Sequence, residues 1–193
     1  SDLGCFSLYP SKPLGAAGNA GMIVSNSSGF IKKAEMYAHH GIADRQKKYQ
    51  HDVIGYNELL DNVQAAAVDL RLDKLDELIN ERLKLAGIYN QTFQQFSHPG
   101  MQWSADARPA LYIYSVQITR RHRFQKFMES QGIETGIYYP LPLHLQKSMK
   151  DLGYEKGDFP MAEKFVKRTV SLPLYGELTN KQRQAIIKAI KSY

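Results

Sequence analysis

The sequence is poor in the features that define several large classes of protein. Its 193 residues include a single cysteine, Cys5, so no disulfide can form within the chain. No apolar run approaches the roughly 18 residues that a membrane-spanning helix needs. One cysteine suits a reducing compartment. We therefore expect a cytoplasmic protein with no membrane partner.

An excess of one charge sign is present but scattered. The chain has 25 Lys and Arg against 19 Asp and Glu, a formal net charge of +6. The basic residues form short runs, and in residues 181–191 they alternate with apolar residues at helical spacing, which is typical of the solvated face of an amphipathic helix. No zinc-finger or RNA-binding aromatic signature accompanies them, so we predict no nucleic-acid partner.

Ligand spacing for a metal ion is also missing. The adjacent pair His39 and His40 has no cysteine or carboxylate partner at the spacing that metal sites use. We interpret these histidines as ordinary surface or interface residues and predict no metal site.

The chain does have the composition of a folded protein, with 43% hydrophobic and 23% charged residues. Strand-like segments alternate with helical ones, which indicates an α/β chain with a smaller α+β unit after about residue 95. We predict strands at 3–8, 22–24, 110–118, 133–139 and 169–174. We predict helices at 30–40, from 60 to 93 with a break near 72–73, at 124–131, at 161–168, and from a Thr179–Gln182 capping box to about 191.

The loop FSLYPSKPLGAAGNAG (6–21) carries the clearest chemical signal. Lys12 precedes Pro13, which biases it toward an extended or turn conformation directly after an apolar strand. A primary amine at such a place suits imine formation, and Ser7, Ser11 and the glycine amides could hold a phosphate. The loop alone also fits an ordinary exposed lysine.

A longer comparison decides between these interpretations. The segment FSLYPSKPLGAAGNAGMIVSN (6–26) resembles the pyridoxal-phosphate lysine segment of the DegT/DnrJ/StrS family of sugar aminotransferases. The family's other blocks follow in the same order: HHG (39–41), KKYQHDVIGYNELLDNVQAA (47–66), LDKLDELINERLKLAGIYNQ (72–91), GIETGIYYPLPLHLQ (132–146), GYEKGDFPMAE (153–163) and SLPLYGELT (171–179). The resemblance covers essentially the whole chain.

This resemblance implies a fold and an activity. The fold is the α/β fold type I of pyridoxal-phosphate-dependent transferases, which is aspartate aminotransferase-like. Residues 1–75 would be the end of the large cofactor-binding domain, and residues 76–193 the connecting helix and the small α+β C-terminal domain. The activity is amino transfer, from glutamate to a nucleotide-linked keto-sugar, in a homodimer with shared sites.

The family also places an acid, a stacking aromatic and a Gly-rich turn before the lysine segment. This chain has only eleven residues before Lys12. We therefore expect it to be the C-terminal part of a longer enzyme, and to be inactive by itself.

Three positions match the family's site residues, and three more lie near its substrate. Lys12 matches the lysine that forms the imine with pyridoxal phosphate and shuttles the proton, and Ser7 matches the serine that hydrogen-bonds the cofactor phosphate. Asn57 matches an asparagine that reaches the phosphate in the neighbouring subunit's site. The resemblance places three further residues near the substrate: Tyr9, Tyr138 and His144.

Each of these residues also has a purely structural interpretation. Ser7 can be a strand hydroxyl, and Asn57 can be a turn former. Tyr138 and His144 can simply hold the small domain together.

The sequence departs from the family pattern at three places. Gly18-Asn19-Ala20-Gly21 replaces the usual Gly-Asp-Gly-Gly, so Ala20 should have ordinary dihedrals. Leu59 stands where an arginine is common, which removes a cation for the substrate's phosphates, and Tyr138 replaces a frequent histidine. A cyclitol or another keto substrate therefore stays open.

Two further functions are alternatives to amino transfer. Lys12 argues against the related sugar dehydratases, which have histidine there. A non-catalytic regulatory or assembly role is the third alternative.

Overall fold

The computed structural model describes all residues, 1–193, and the chain divides into two compact units, Ser1–Asp76 and Glu77–Tyr193. Each unit contains one two-stranded antiparallel sheet. No parallel sheet is formed within the chain. None of the helices is both long and apolar enough to cross a bilayer.

The first unit begins with a hairpin. Strands β1 (Gly4–Ser7) and β2 (Gly21–Val24) pair with Gly4 opposite Val24 and Ser7 opposite Gly21. Helix α1 (Ser28–Ala38) follows, and the Ser27 hydroxyl caps it by accepting from the Phe30 N–H. Helix α2 (Asn62–Leu72) ends the unit. The predicted strands and helices of this unit are confirmed within a few residues.

The predicted break in the long helical stretch is also confirmed. Helix α2 ends at Leu72, and α3 (Leu75–Gln94) begins after Asp73 and Lys74. Helix α3 buries Leu85, Ala86, Tyr89 and Phe93, which lie on one face at helical spacing.

The second unit packs helices on a small sheet. Strands β3 (Tyr114–Gln117) and β4 (Thr169–Leu172) are antiparallel, with Val116 opposite Val170. Helix α4 (Arg121–Ser130) contacts β4, and α5 (Pro160–Arg168) contacts β3. Helix α6 (Asn180–Ser192) begins at the predicted Thr179–Gln182 capping box, which is confirmed. The core is formed by α3, α4, α6 and the apolar face of the sheet.

The predicted strand at 133–139 is wrong. Only Gly136 pairs with the sheet, through a single antiparallel bridge to Ser171. The ring of Tyr138 lies over the Cα of Gly136, and Pro140 and Pro142 have no N–H with which to continue a ladder. The segment from Leu143 instead forms two 3-10 turns, Leu143–Leu145 and Lys147–Leu152.

Candidate functional site

Lys12 lies in a tight loop between β1 and β2. The loop is closed by the Leu8 N–H donating to the Ala20 carbonyl at 3.0 Å and by the Ala16 N–H donating to the Leu8 carbonyl at 2.8 Å. Gly15 has no room for a side chain, because a Cβ there would overlap the Pro10 carbonyl. The lysine is thus carried by a loop whose backbone is fixed by its own hydrogen bonds.

Three of the predicted residues are linked on this hairpin. The Lys12 N–H donates to the Tyr9 carbonyl at 2.8 Å, and the Tyr9 N–H approaches the Ser7 Oγ at 3.4 Å. Ser7 ends β1 and is exposed, while Lys12 is half-buried. The lysine amine, a neighbouring serine hydroxyl and a run of small residues therefore lie on one hairpin and its loop.

The backbone of this loop also agrees with the departure noted above. Ala20 is not among the residues with positive φ, so the prediction that it uses ordinary dihedrals is confirmed. Replacing a glycine at this position needs no strained backbone.

Asn57 lies on a different segment of the first unit. It forms an antiparallel bridge with His39, flanked by the Tyr56 N–H donating to Tyr37 at 2.7 Å and the Glu58 N–H donating to Ala38 at 2.9 Å. The end of α1 therefore holds the Asn57 backbone, and the Asn57 side chain is exposed.

Tyr138 and His144 belong to the second unit and differ in exposure. Tyr138 is exposed, as is Tyr139 next to it. The His144 side chain is only 7% exposed, and its Nε2 lies 3.2 Å from Oε1 of Glu163 on α5.

Glu163 is a residue that the sequence analysis did not single out. Its Oε1 also accepts the Gly157 N–H at 2.6 Å. This backbone hydrogen bond, more than the neighbouring His144 and Lys167, holds the pKa of the Glu163 carboxyl below its ordinary value. The sequence alone offers little signal for it, because an acidic residue in the first turn of a helix is common; its burial on the inward face of α5 is visible only in the structure.

Comparison with known proteins identifies the family. The family model for DegT/DnrJ/EryC1/StrS aminotransferases matches residues 1–191. The chain belongs to this family. This match confirms the resemblance seen in the lysine segment and the six blocks that follow it, and the fold type I class that goes with it.

Individual relatives are similar over nearly all of this chain. A "pleiotropic regulatory protein" of Geobacillus stearothermophilus is 35% identical over 97% of the chain and 50% of its own length. The dTDP-3-amino-3,4,6-trideoxy-alpha-D-glucose transaminase of Streptomyces venezuelae is 30% identical over 100% of the chain and 50% of its own length. The crystal structure of ntda from Bacillus subtilis, with bound cofactor PMP, is 25% identical with a TM-score of 0.86, over 98% of the chain and 45% of that structure. The chain thus spans about half the length of the relatives it matches.

Proposed function

We propose that this chain is the lysine-bearing part of a longer pyridoxal-phosphate-dependent aminotransferase whose amino acceptor is a nucleotide-linked keto-sugar and whose donor is glutamate. The observation that carries the proposal is the closed loop holding Lys12 after Ser7. The named transaminase among the relatives supports the sugar substrate, and ntda with its bound PMP supports the cofactor. We propose a cytoplasmic protein, with no nucleic-acid or membrane partner.

The residues of the loop suit the cofactor chemically. The Lys12 Nζ is a primary amine that can bond to the cofactor carbonyl and afterwards carry a proton to and from the reacting carbon. The Ser7 Oγ can donate to a phosphate oxygen, and in our proposal Asn57 does so across a dimer interface. Bound pyridoxal phosphate supplies the electron sink for amino transfer. Tyr9, Tyr138 and His144 are assigned to the substrate side.

The exposed apolar side chains of the first unit support a longer protein and a partner subunit. Phe6, Met22 and Ile23 on the hairpin are each about half exposed, and neither α1 nor α2 buries a residue. A sheet with both faces open is marginal in water and gains stability when further protein covers it. We propose that the rest of the enzyme and a second subunit provide this cover.

The net reaction is balanced by two carbonyl–amine exchanges. The C–N bond of glutamate breaks to give 2-oxoglutarate, and a new C–N bond forms at the keto carbon of the sugar. The whole protein that carries this chain should convert glutamate and a dTDP- or UDP-linked keto-sugar to 2-oxoglutarate and the amino sugar. Substituting a keto-cyclitol for the keto-sugar tests the alternative that Leu59 leaves open.

Covalent attachment at Lys12 is the sharpest test of the site. The whole protein that carries this chain is incubated with pyridoxal phosphate, reduced with borohydride and digested. The modified peptide is then identified by mass spectrometry. We expect the adduct at Lys12, its loss in Lys12→Ala, and no change in Lys33→Ala, which removes an exposed lysine of α1. Adducts spread over many exposed lysines would refute the assignment.

A regulatory role is the second candidate, because the relative at 35% identity is named a regulatory protein. The two candidates differ in one observable. An aminotransferase no longer forms its product in Lys12→Ala, whereas a purely regulatory protein keeps its regulatory effect in the same variant.

A further inference from the structure

The exposed tyrosines of the second unit lie on a segment held at both ends. Gly136 exchanges two hydrogen bonds with Ser171 of β4, at 3.0 Å and 2.8 Å. His144 is held eight residues later by Glu163 of α5, at 3.2 Å. Only residues 137–143 lie between these two anchors, and we call them the tyrosine segment, because they carry Tyr138 and Tyr139.

The second anchor is organised around one carboxylate. Oε1 of Glu163 accepts from His144 and from the Gly157 N–H, so it joins the 3-10 turn at Leu143–Leu145 and the 153–158 loop to α5. The Phe159 ring covers the His144 ring with centroids 4.8 Å apart. The Glu163 side chain is 11% exposed, so water has little access to these hydrogen bonds.

The hydrophobic core does little to hold this region. Between Ile133 and Val170 no residue belongs to the buried core cluster. Helix α5 buries only Glu163, and the two 3-10 turns bury no residue. Within the tyrosine segment only Pro142 is buried. Polar contacts to Glu163 are therefore a main restraint on the tyrosine segment, and their loss should loosen it.

We propose that Glu163 is a positioning residue that fixes the tyrosine segment through His144 and thereby sets the affinity for the amino acceptor. The inference rests on the proposed function, because it assigns the exposed side of this segment to the keto-sugar. It also gives His144 an indirect task, since its ring nitrogen faces Glu163. Glu163 itself touches no reacting atom in this scheme.

The kinetic test compares two neutralised carboxylates in the whole protein that carries this chain. In Glu163→Gln, KM for the keto-sugar should rise about tenfold, the factor expected for a hydrogen bond to a charged group. The kcat should stay within about twofold and the borohydride adduct at Lys12 should be unchanged, since only binding is affected. The matched control is Glu155→Gln, an exposed carboxylate of the 153–158 loop that precedes α5, which should behave as wild type. Equal KM values for wild type and Glu163→Gln would overturn the proposal.

A second measurement needs no activity. Amide hydrogen exchange of residues 137–159 should be faster in Glu163→Gln and in His144→Asn than in wild type. The double variant should be no faster than Glu163→Gln, because that substitution already weakens the contact with His144. Unchanged exchange in both single variants would overturn the positioning role.

The two measurements separate the inference from the proposed function. If the wild type converts no keto-sugar, the proposed function fails and the substrate role of the segment fails with it. Faster exchange in Glu163→Gln would in that case still establish the anchor, and unchanged exchange would remove it as well.

Discussion

Gly41 and Gly55 meet backbone to backbone and close the loop that precedes Asn57. A Cβ on Gly55 would overlap the Gly41 nitrogen, and a Cβ on Gly41 would overlap the Val53 carbonyl. Gly41 also has φ of +76°, a conformation that favours glycine. The position of Asn57 thus depends on two glycines that lie outside any helix or strand.

Replacing Gly55 with alanine should therefore damage the first unit. The added methyl group would overlap the backbone of His40 and Gly41, and this clash cannot be relieved by turning a side chain, so we expect a loss of about 1–3 kcal/mol in the free energy of unfolding. Urea denaturation measures it. Gly29→Ala is the control, because a Cβ there meets only the Ser27 Oγ at 3.7 Å. Equal stability of the two variants would contradict the close approach.

Arg82 should be a strong determinant of stability in the second unit. It is buried on α3, and its Nη1 lies 3.3, 3.2 and 3.0 Å from the carbonyl oxygens of Leu111, Tyr112 and Leu174. Arg82→Met keeps the aliphatic stem but leaves buried carbonyls without this donor, and should lower the free energy of unfolding by about 2–3 kcal/mol.

The control for Arg82 lies on the same helix. Lys84 is exposed and pairs with Glu81 at 2.8 Å. A surface pair three residues apart contributes only about 0.2–0.5 kcal/mol, so Lys84→Met should be nearly neutral in the same urea titration. If Arg82→Met lost no more stability than Lys84→Met, the hydrogen bonds from Arg82 to the three carbonyls would not be what stabilises the unit.

Local signals explain which parts of the structure could be predicted. The α6 capping box needs only Thr179 and Gln182, and the hairpin strands need only their own apolar residues and the glycines between them, so both are visible in the sequence. The break at Asp73 is likewise local.

Contacts between distant residues could not be predicted in this way. Glu163 meets a histidine nineteen positions away, and Arg82 meets a carbonyl ninety-two positions away. The strand at 133–139 failed for a related reason. Its β-branched and aromatic residues are compatible with a strand, but the Tyr138 ring packs on Gly136, and the segment makes only one bridge. Tertiary context overrides such a pattern.

The Glu163 carboxyl should make the second unit sensitive to acid. Its pKa lies below the ordinary 4.5, chiefly because of the Gly157 N–H, so the folded state favours the ionised form. A lowered folded-state pKa contributes stability that is present above the unfolded-state value and is lost as pH falls through the folded-state value. The titratable side chains that face it are His144 and Lys167.

The measurement for Glu163 is thermal unfolding of wild type and Glu163→Gln from pH 7 down to pH 3. The wild type should be the more stable protein at pH 7, and the difference between the two melting temperatures should shrink as pH falls below about 4.5. A difference that stays constant with pH would mean that the ionised carboxylate is not what stabilises this region.

Gly18 and Gln64 should behave as a coupled pair beside the lysine loop. A Cβ on Gly18 would overlap the Gln64 amide nitrogen at the far end of that side chain, while Oε1 of Gln64 is buried without a hydrogen-bond partner. Gly18→Ala should therefore displace the Gln64 side chain and lower the free energy of unfolding by about 1–2 kcal/mol. Because the clash involves a side chain, Gln64→Ala should create the space for the added methyl group. Gly18→Ala should then cost little in the Gln64→Ala background, so the double variant should be nearly as stable as Gln64→Ala alone.

A double-mutant cycle by urea denaturation measures this coupling between Gly18 and Gln64. Additive losses would show that the backbone of the loop, rather than Gln64, excludes a side chain at position 18.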